Sequence, residues 1–450
     1  MRKLQYNYLL GAVILIAFTV ISCQKDTTSA FNTSAETFDG LMAHHWFNTF
    51  RTLTKKCPGF TPPVAARAFG YAGLTLYETV VYGLPNKQSL QNQLSTGLKI
   101  NPPDTTLEYN WAIAANAAMA ETARLYYANM PTSEAIAVAQ LEEVTFNDIR
   151  EIGTGLSGAT VARSKQWGFY VAQAIFEWSK TDGGHLGYTK NFPKDYVIPI
   201  GVGKWIPTFP KYLTPMQPNW GNLRTFLPNI AASTQPNAPI PYSEDTASVF
   251  YKHAKEVYLA AKDATPEQKI IAKYWSDDPG EPGTPSGHSV SIATQVLQKQ
   301  GANLGTSAEI YAKVGMGISD AFVSCWKSKF VFNYMRPISY IRMKFDPNFV
   351  TLLETPPFPE FTSGHSVQSG AAAKILSDAF GINYLFTDRT HASRTDIDGT
   401  PRSYRSFFEF ANEAASSRLY GGIHFQEAIE VGIVQGDKIG AAIGKLKFSK

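Results

Sequence analysis

Charged side chains are scarce in this chain: only 17% of its 450 residues carry charge, and the balance is a net +4. An excess so small over this length argues against a nucleic-acid surface. Cysteine is scarcer still, at three residues, which leaves neither a disulfide framework nor a paired-cysteine zinc site. Among the eight histidines, His44, His45, His185, His253 and His391 show no metal-ligand spacing, and no His-Glu-x-x-His pattern occurs. Zinc is therefore not expected. No glycine-rich phosphate loop follows a strand, no internal repeat is visible, and strand-like alternation is rare.

Long apolar runs are missing too, apart from Leu9 to Ile21 behind Arg2 and Lys3. That run is short for a bilayer span and suits an export signal. Val20-Ile21-Ser22-Cys23 resembles a bacterial lipobox, which implies removal of residues 1–22 and lipidation of Cys23; ordinary cleavage leaving a free thiol is the alternative. Residues 23–38 are rich in Ser, Thr and Asp and read as a flexible tether. The expectation is an exported bacterial lipoprotein of the cell envelope, in the periplasm or on the outer-membrane surface, with the lipid as its only membrane contact. Cys57 and Cys325 are expected to be packed thiols.

What the chain has in quantity is apolar and aromatic residues, 44% and 13%. Their spacing predicts an all-α fold in two helical halves, residues 39–240 and 241–450. Tyr71 to Val81, Trp111 to Ala128, Thr132 to Asp148 and Val161 to Lys180 are the clearest early helices. A connector heavy in Pro, Gly and Trp runs from Lys180 to Tyr242. Helices follow at Glu244 to Ala261 and, after the capping pattern Thr265-Pro266-x-Gln268, to Tyr274.

Chemistry concentrates between Lys329 and Ala428. Ile310, Val314, Ile318, Phe322 and Cys325 form one helix face that Thr306 and Glu309 would cap, and Lys329 continues that stripe. Arg336 points the same way before Pro337 ends the run. Phe407, Ala411, Ala414 and Ala415 form a second stripe, continued by Arg418. Cations on buried faces are costly unless they meet negative charge. Thr362-Ser363-Gly364-His365 precedes a small-residue helix, Ser366 to Phe380, closed by Gly381, and the free amides at its start suit an oxyanion. Gly421-Gly422 breaks the helix between Arg418 and His424, so both side chains can reach one centre.

The spacing Lys-x6-Arg-Pro, then Ser-Gly-His, then Ser-Arg-x5-His resembles the signature shared by vanadium-dependent haloperoxidases and type 2 phosphatidic acid phosphatases. Pro62-Pro63, Ala65-Ala66-Arg67, Tyr77-Glu78, Lys204-Trp205-Ile206-Pro207-Thr208 and Pro218-Asn219-Trp220 are similar to segments of the soluble bacterial haloperoxidase-like proteins. There are two departures. Thr362 replaces the usual proline, and Ala428, between Glu427 and Glu430, replaces the aspartate that orients the last histidine. A second Ser-Gly-His, ending at His288, precedes the Lys-Arg-Pro block and is out of order, so His288 is read as lying outside the site.

The resemblance implies vanadate, or phosphate in the same place, bound through His424. Lys329, Arg336 and Arg418 would neutralise its oxygens, Ser363 and the Gly364 amide would donate to them, and His365 would move protons. Asp278 is carried as the partner of His365, and Trp326 and Phe358 resemble pocket-lining aromatics. Hydrogen peroxide and a halide would then be the substrates. A soluble acid phosphatase would use the same residues on a phosphoester, with His424 as nucleophile. A lipoprotein that binds oxyanions without turnover is the third reading, resting on Ala428.

Overall fold

The computed structural model describes residues 33–152, 155–277 and 282–450. The leader, Cys23, most of the tether and Asp278 lie outside the described residues. The chain is all-α apart from one short hairpin. In order come α1 (Leu41–Lys56), α2 (Pro62–Val80), α3 (Trp111–Tyr126), α4 (Thr132–Ile152), α5 (Gly158–Ser179), α6 (Ile230–Ser233), α7 (Val249–Lys262), α8 (Pro266–Tyr274), α9 (Thr284–Lys299), α10 (Leu304–Phe332), α11 (Pro337–Lys344) and α12 (Gly364–Phe380). The strands β1 (Phe386–Asp388) and β2 (Arg402–Tyr404) pair antiparallel, with Phe386 opposite Tyr404. Helices α13 (Phe407–Tyr420) and α14 (Gln426–Gly444) complete the chain.

Helix starts follow local chemistry. Asn110, Ser157, Ser248, Asn303, Ser363 and Ser406 each accept an amide of the first turn, and Thr265 with Gln268 closes the expected capping box. Several boundaries differ from the sequence reading: α2 already starts at Pro62 rather than Tyr71, proline suiting a first turn. Asn303, not Thr306, caps α10, because its Oδ1 takes the Thr306 amide at 2.8 Å. Helix α7 starts at Val249 rather than Glu244, where Ser248 supplies the cap. Pro337 begins α11 instead of ending α10, which closes at Asn333 in the left-handed conformation. Arg336 is thus the N-cap residue of a new helix rather than a member of the Lys329 stripe.

Helices α2 and α10 are apolar on nearly every face and lie at the centre. They approach closely through glycine: a Cβ on Gly73 would stand 2.3 Å from the Tyr311 carbonyl oxygen. Helices α12 and α14 meet the same way, a Cβ on Gly436 falling 2.2 Å from Val367 O. The main core draws on helices from α1 to α14, so both halves of the chain contribute to it. Cys57 and Cys325 are free, buried thiols. Among the described residues, no helix is long and apolar enough to cross a membrane.

Candidate active site

A cavity of about 850 Å³ is lined by Gly364, His365, Arg418, Ile423 and His424, by Phe322, Trp326 and Phe358, and by residues of the loops at Cys57–Pro62 and Leu352–Phe358. Exposed Lys211 and Glu354, paired at 2.8 Å, belong to its outer end. His424 and Arg418 are only 3% exposed and belong to its inner end.

Each charged group at the inner end is held by backbone. The C-terminal part of α10 carries Lys329, whose Nζ donates to Pro359 O at 3.0 Å and Glu360 O at 2.9 Å. Arg336 donates from Nε to Phe358 O at 2.9 Å and from Nη1 to Ile423 O at 2.8 Å, and Nη1 stands 3.2 Å from His424 Nε2. Arg418, in the last turn of α13, donates from Nη2 to Trp275 O at 2.8 Å, and its Nη1 is 3.4 Å from His365 Nε2. Phe358 lies between cations, its ring centroid 5.0 Å from both Lys329 Nζ and Arg336 Cζ. Ser363 caps α12, so the Gly364 amide opens that helix at the cavity wall.

Glu360 answers the question raised by Ala428. Its Oε1 accepts from His424 Nδ1 at 2.7 Å and from the Phe425 amide at 2.9 Å. A proton on Nδ1 leaves the Nε2 lone pair facing the cavity. The Ala428 carbonyl accepts the Ser363 amide at 3.1 Å, so that position anchors the α12 start through backbone. Sequence reasoning missed Glu360, although an acidic residue in the apolar run Pro-Phe-Pro-Glu-Phe, three residues before Ser363, was the available signal.

Asp277 is the observed carboxylate beside His365, with Oδ2 3.7 Å from Nε2. Its left-handed backbone, φ 56°, accompanies an inward-turned, buried side chain. The same carboxylate meets His288 Nδ1 at 2.9 Å through Oδ1. His288 is 1% exposed and does not line the cavity.

Burial governs the electrostatics. It pushes Lys329 down to about 7 and Arg336 to about 10, and it pushes Glu360 up to about 7 against the pull of Arg336 and Lys329. His365 falls to about 4 through burial and the charge of Arg418. His424 lies well below the usual imidazole range through burial and the charges of Arg336, Lys329 and Arg418. Both histidines are therefore neutral near pH 7. The inner end is lined by Arg418, the Gly364 amide and two uncharged imidazoles, with Arg336 3.2 Å from His424 Nε2 and the partly protonated Lys329 buried nearby, a set that suits a tetrahedral oxyanion.

Residues 309–448 match the family model described as the second helical-bundle domain of VCPO. The structure is similar to that of a bacterial vanadium-dependent iodoperoxidase, at 32% identity and a TM-score of 0.80, over 92% of this chain and 98% of that one. It also resembles the apo and holo forms of bacterial vanadium-dependent chloroperoxidase. Those likenesses, at 14% and 16% identity with TM-scores of 0.65 and 0.62, cover 87% and 86% of this chain and 96% and 93% of the others. At that identity the resemblance is one of fold. No curated protein sequence matches the chain.

Proposed function

The chain belongs to the vanadium haloperoxidase superfamily, and from that premise we propose that it oxidises a halide with hydrogen peroxide, using vanadate held on His424. The observation that carries this reading is the pairing of His424 Nδ1 with Glu360 Oε1 at 2.7 Å, which leaves Nε2 as an unprotonated ligand atom beside buried cations. A second observation tests the fit of the anion. Arg336 Nη2 is buried with no hydrogen-bond partner, and a bound oxyanion would supply an acceptor.

In this reading Lys329, Arg336 and Arg418 neutralise the anion, and the Gly364 amide and Ser363 donate to it. What vanadate supplies when bound is a Lewis-acidic centre at which peroxide is activated toward halide. His365, neutral and beside Arg418, would accept a proton at a ring nitrogen and hand it back, serving as base and then as acid. Asp277 orients its ring from behind. Trp326, Phe322 and Phe358 form an apolar wall that favours a large, weakly hydrated halide, and the iodoperoxidase likeness makes iodide the first to test. Attachment to the envelope through a lipid on Cys23 is part of the same proposal, as is the division into a helical half, residues 39–240, and a catalytic half, residues 241–450.

Because Glu360 gives His424 a carboxylate partner, Ala428 no longer argues for a silent site. Vanadate-dependent oxidation of iodide, bromide or chloride that disappears in His424→Ala is the expected result. Phosphoester hydrolysis inhibited by vanadate, without halide oxidation, would move the protein to the phosphatases.

A further inference from the structure

Behind His365 a second group of ionisable side chains is enclosed. Asp277, His288, Asp388 and His391 are all 1% exposed or less. None of the four lines the cavity, and only Asp277 touches the groups discussed above. They come from the loop after α8, from α9, from β1 and from the turn after β1, so the hairpin closes the group.

The geometry is specific. His288 faces Asp277 Oδ1 through Nδ1 at 2.9 Å and Asp388 Oδ2 through Nε2 at 2.7 Å. His391 Nε2 stands 3.4 Å from the same Asp277 oxygen, and neither ring nitrogen of His391 makes a hydrogen bond. One donor atom from each of Asp277, His288 and His391 lies within 4.8 Å of the other two. His391 Nε2 meets only the Asp277 carboxylate, at 3.4 Å, and Nδ1 meets no acceptor or donor; an unsatisfied enclosed nitrogen costs about 1–3 kcal/mol, so His391 has room for a partner.

Asp388 behaves as an outer carboxylate. Its Oδ2 accepts from Tyr274 Oη at 2.7 Å, and its Oδ1 accepts from the Thr390 amide at 2.9 Å and the Thr390 hydroxyl at 2.6 Å. Held this way it accepts from His288 Nε2 while Nδ1 faces Asp277 and donates to its Oδ1; an ion between Nδ1 and Asp277 would complete the carboxylate–histidine–metal arrangement. Donor atoms bound tetrahedrally at about 2.0–2.1 Å stand about 3.3 Å apart, and the observed 2.9 and 3.4 Å bracket that spacing. Two carboxylates are enclosed with Arg51 as the neighbouring guanidinium, itself donating to Pro282 O and Asn48 Oδ1. Against its burial, the charges of Asp277 and Asp388 push His288 up to about 9, so a divalent ion that binds Nδ1 takes the place of a proton.

We propose that Asp277 Oδ1, His288 Nδ1 and His391 Nε2 form a site for a divalent transition-metal ion of the zinc class, with Asp388 as the outer partner of His288. Two imidazoles and one carboxylate are a donor set suited to zinc. The ion pins Asp277, and so the carboxylate behind His365, but it takes no part in peroxide chemistry.

The test uses the full chain incubated with zinc chloride, desalted, and analysed for metal by inductively coupled plasma mass spectrometry. One zinc per chain is expected in the wild type, with a raised melting temperature. His391→Gln removes a side chain that makes no hydrogen bond; it should fold, by circular dichroism, and retain at least tenfold less zinc. His424→Ala should retain zinc like the wild type, so failure of the vanadate reading and failure of this one are distinguishable. A folded wild type without zinc, or folded His391→Gln with wild-type zinc, overturns the proposal. Should His391→Gln not fold, cobalt(II) added to the wild type decides: visible bands of a four-coordinate ion support the site, and the spectrum of aqueous cobalt overturns it.

Discussion

Replacing Glu360 by Ala and by Gln separates two effects that the carboxylate exerts on His424. Its charge opposes a bound anion: across the imidazole, at about 7 Å and an effective dielectric near 20, that repulsion is about 2 kcal/mol per unit charge. Its oxygen does the opposite, fixing the ring and its tautomer. Both donors, His424 Nδ1 and the Phe425 amide, converge on Oε1, and Oε2 has no hydrogen-bond partner. A glutamine therefore keeps the acceptor while losing the charge. Alanine loses both, leaves two buried N–H groups unsatisfied at about 1–3 kcal/mol each, and frees the ring to turn. Since both variants lack the charge, their ratio isolates orientation. Loss of a partner of this kind typically costs 10–100-fold in metal affinity, so Glu360→Ala should bind vanadate about 10–100-fold more weakly than Glu360→Gln. Titration calorimetry with vanadate on proteins of verified fold measures the ratio. Equal affinities for the two variants would refute the idea that Glu360 replaces the carboxylate missing at Ala428.

Three other outcomes are expected. His365→Ala should lower turnover about 10²–10⁴-fold while leaving vanadate affinity within a few-fold; parallel loss of both in steady-state and binding assays would remove the proton-transfer role. Gly436→Ala should destabilise the fold by about 1–3 kcal/mol or more, because the added Cβ would meet Val367 O at 2.2 Å; an unchanged urea midpoint would show that α12 and α14 can separate freely. Burial raises Glu78 to about 7 from an ordinary value of 4.5. A raised carboxyl pKa means that the folded state binds the extra proton, so stability is present at pH 4 and falls as pH climbs from 4.5 through 7, by on the order of 3 kcal/mol. Glu78→Gln keeps an acceptor for the Leu90 amide and should flatten that part of the profile in urea titrations at pH 5 and 8; an unaltered slope would assign it elsewhere.

Local pattern was enough for much of this protein. Helical periodicity set the all-α class, and Lys329 and Arg418 stood out because each continues an apolar stripe with a charge. The helix start at Ser363-Gly364 was equally legible, since capping is decided within a few residues. Where the reading failed locally, neighbouring residues competed for one role: Asn303 rather than Thr306 caps α10, and Pro337 opens a helix because its missing amide costs nothing at that position. Asp277 is the carboxylate observed beside His365 among the described residues, and its placement depends on a left-handed backbone that no periodicity encodes.

Contacts between distant segments were beyond the sequence. Glu360 and His424 are 64 residues apart, and Asp277, His288, Asp388 and His391 have no motif spacing. Their meeting depends on glycine-mediated approach of α12 to α14 and on a hairpin folded over α9. Which residues could carry charge in the interior was set by composition and helix face, both properties of short segments. Which of those charges meet, and so which imidazole nitrogen keeps a lone pair, was decided by tertiary packing, because a buried charge is stable only where the fold brings it a partner.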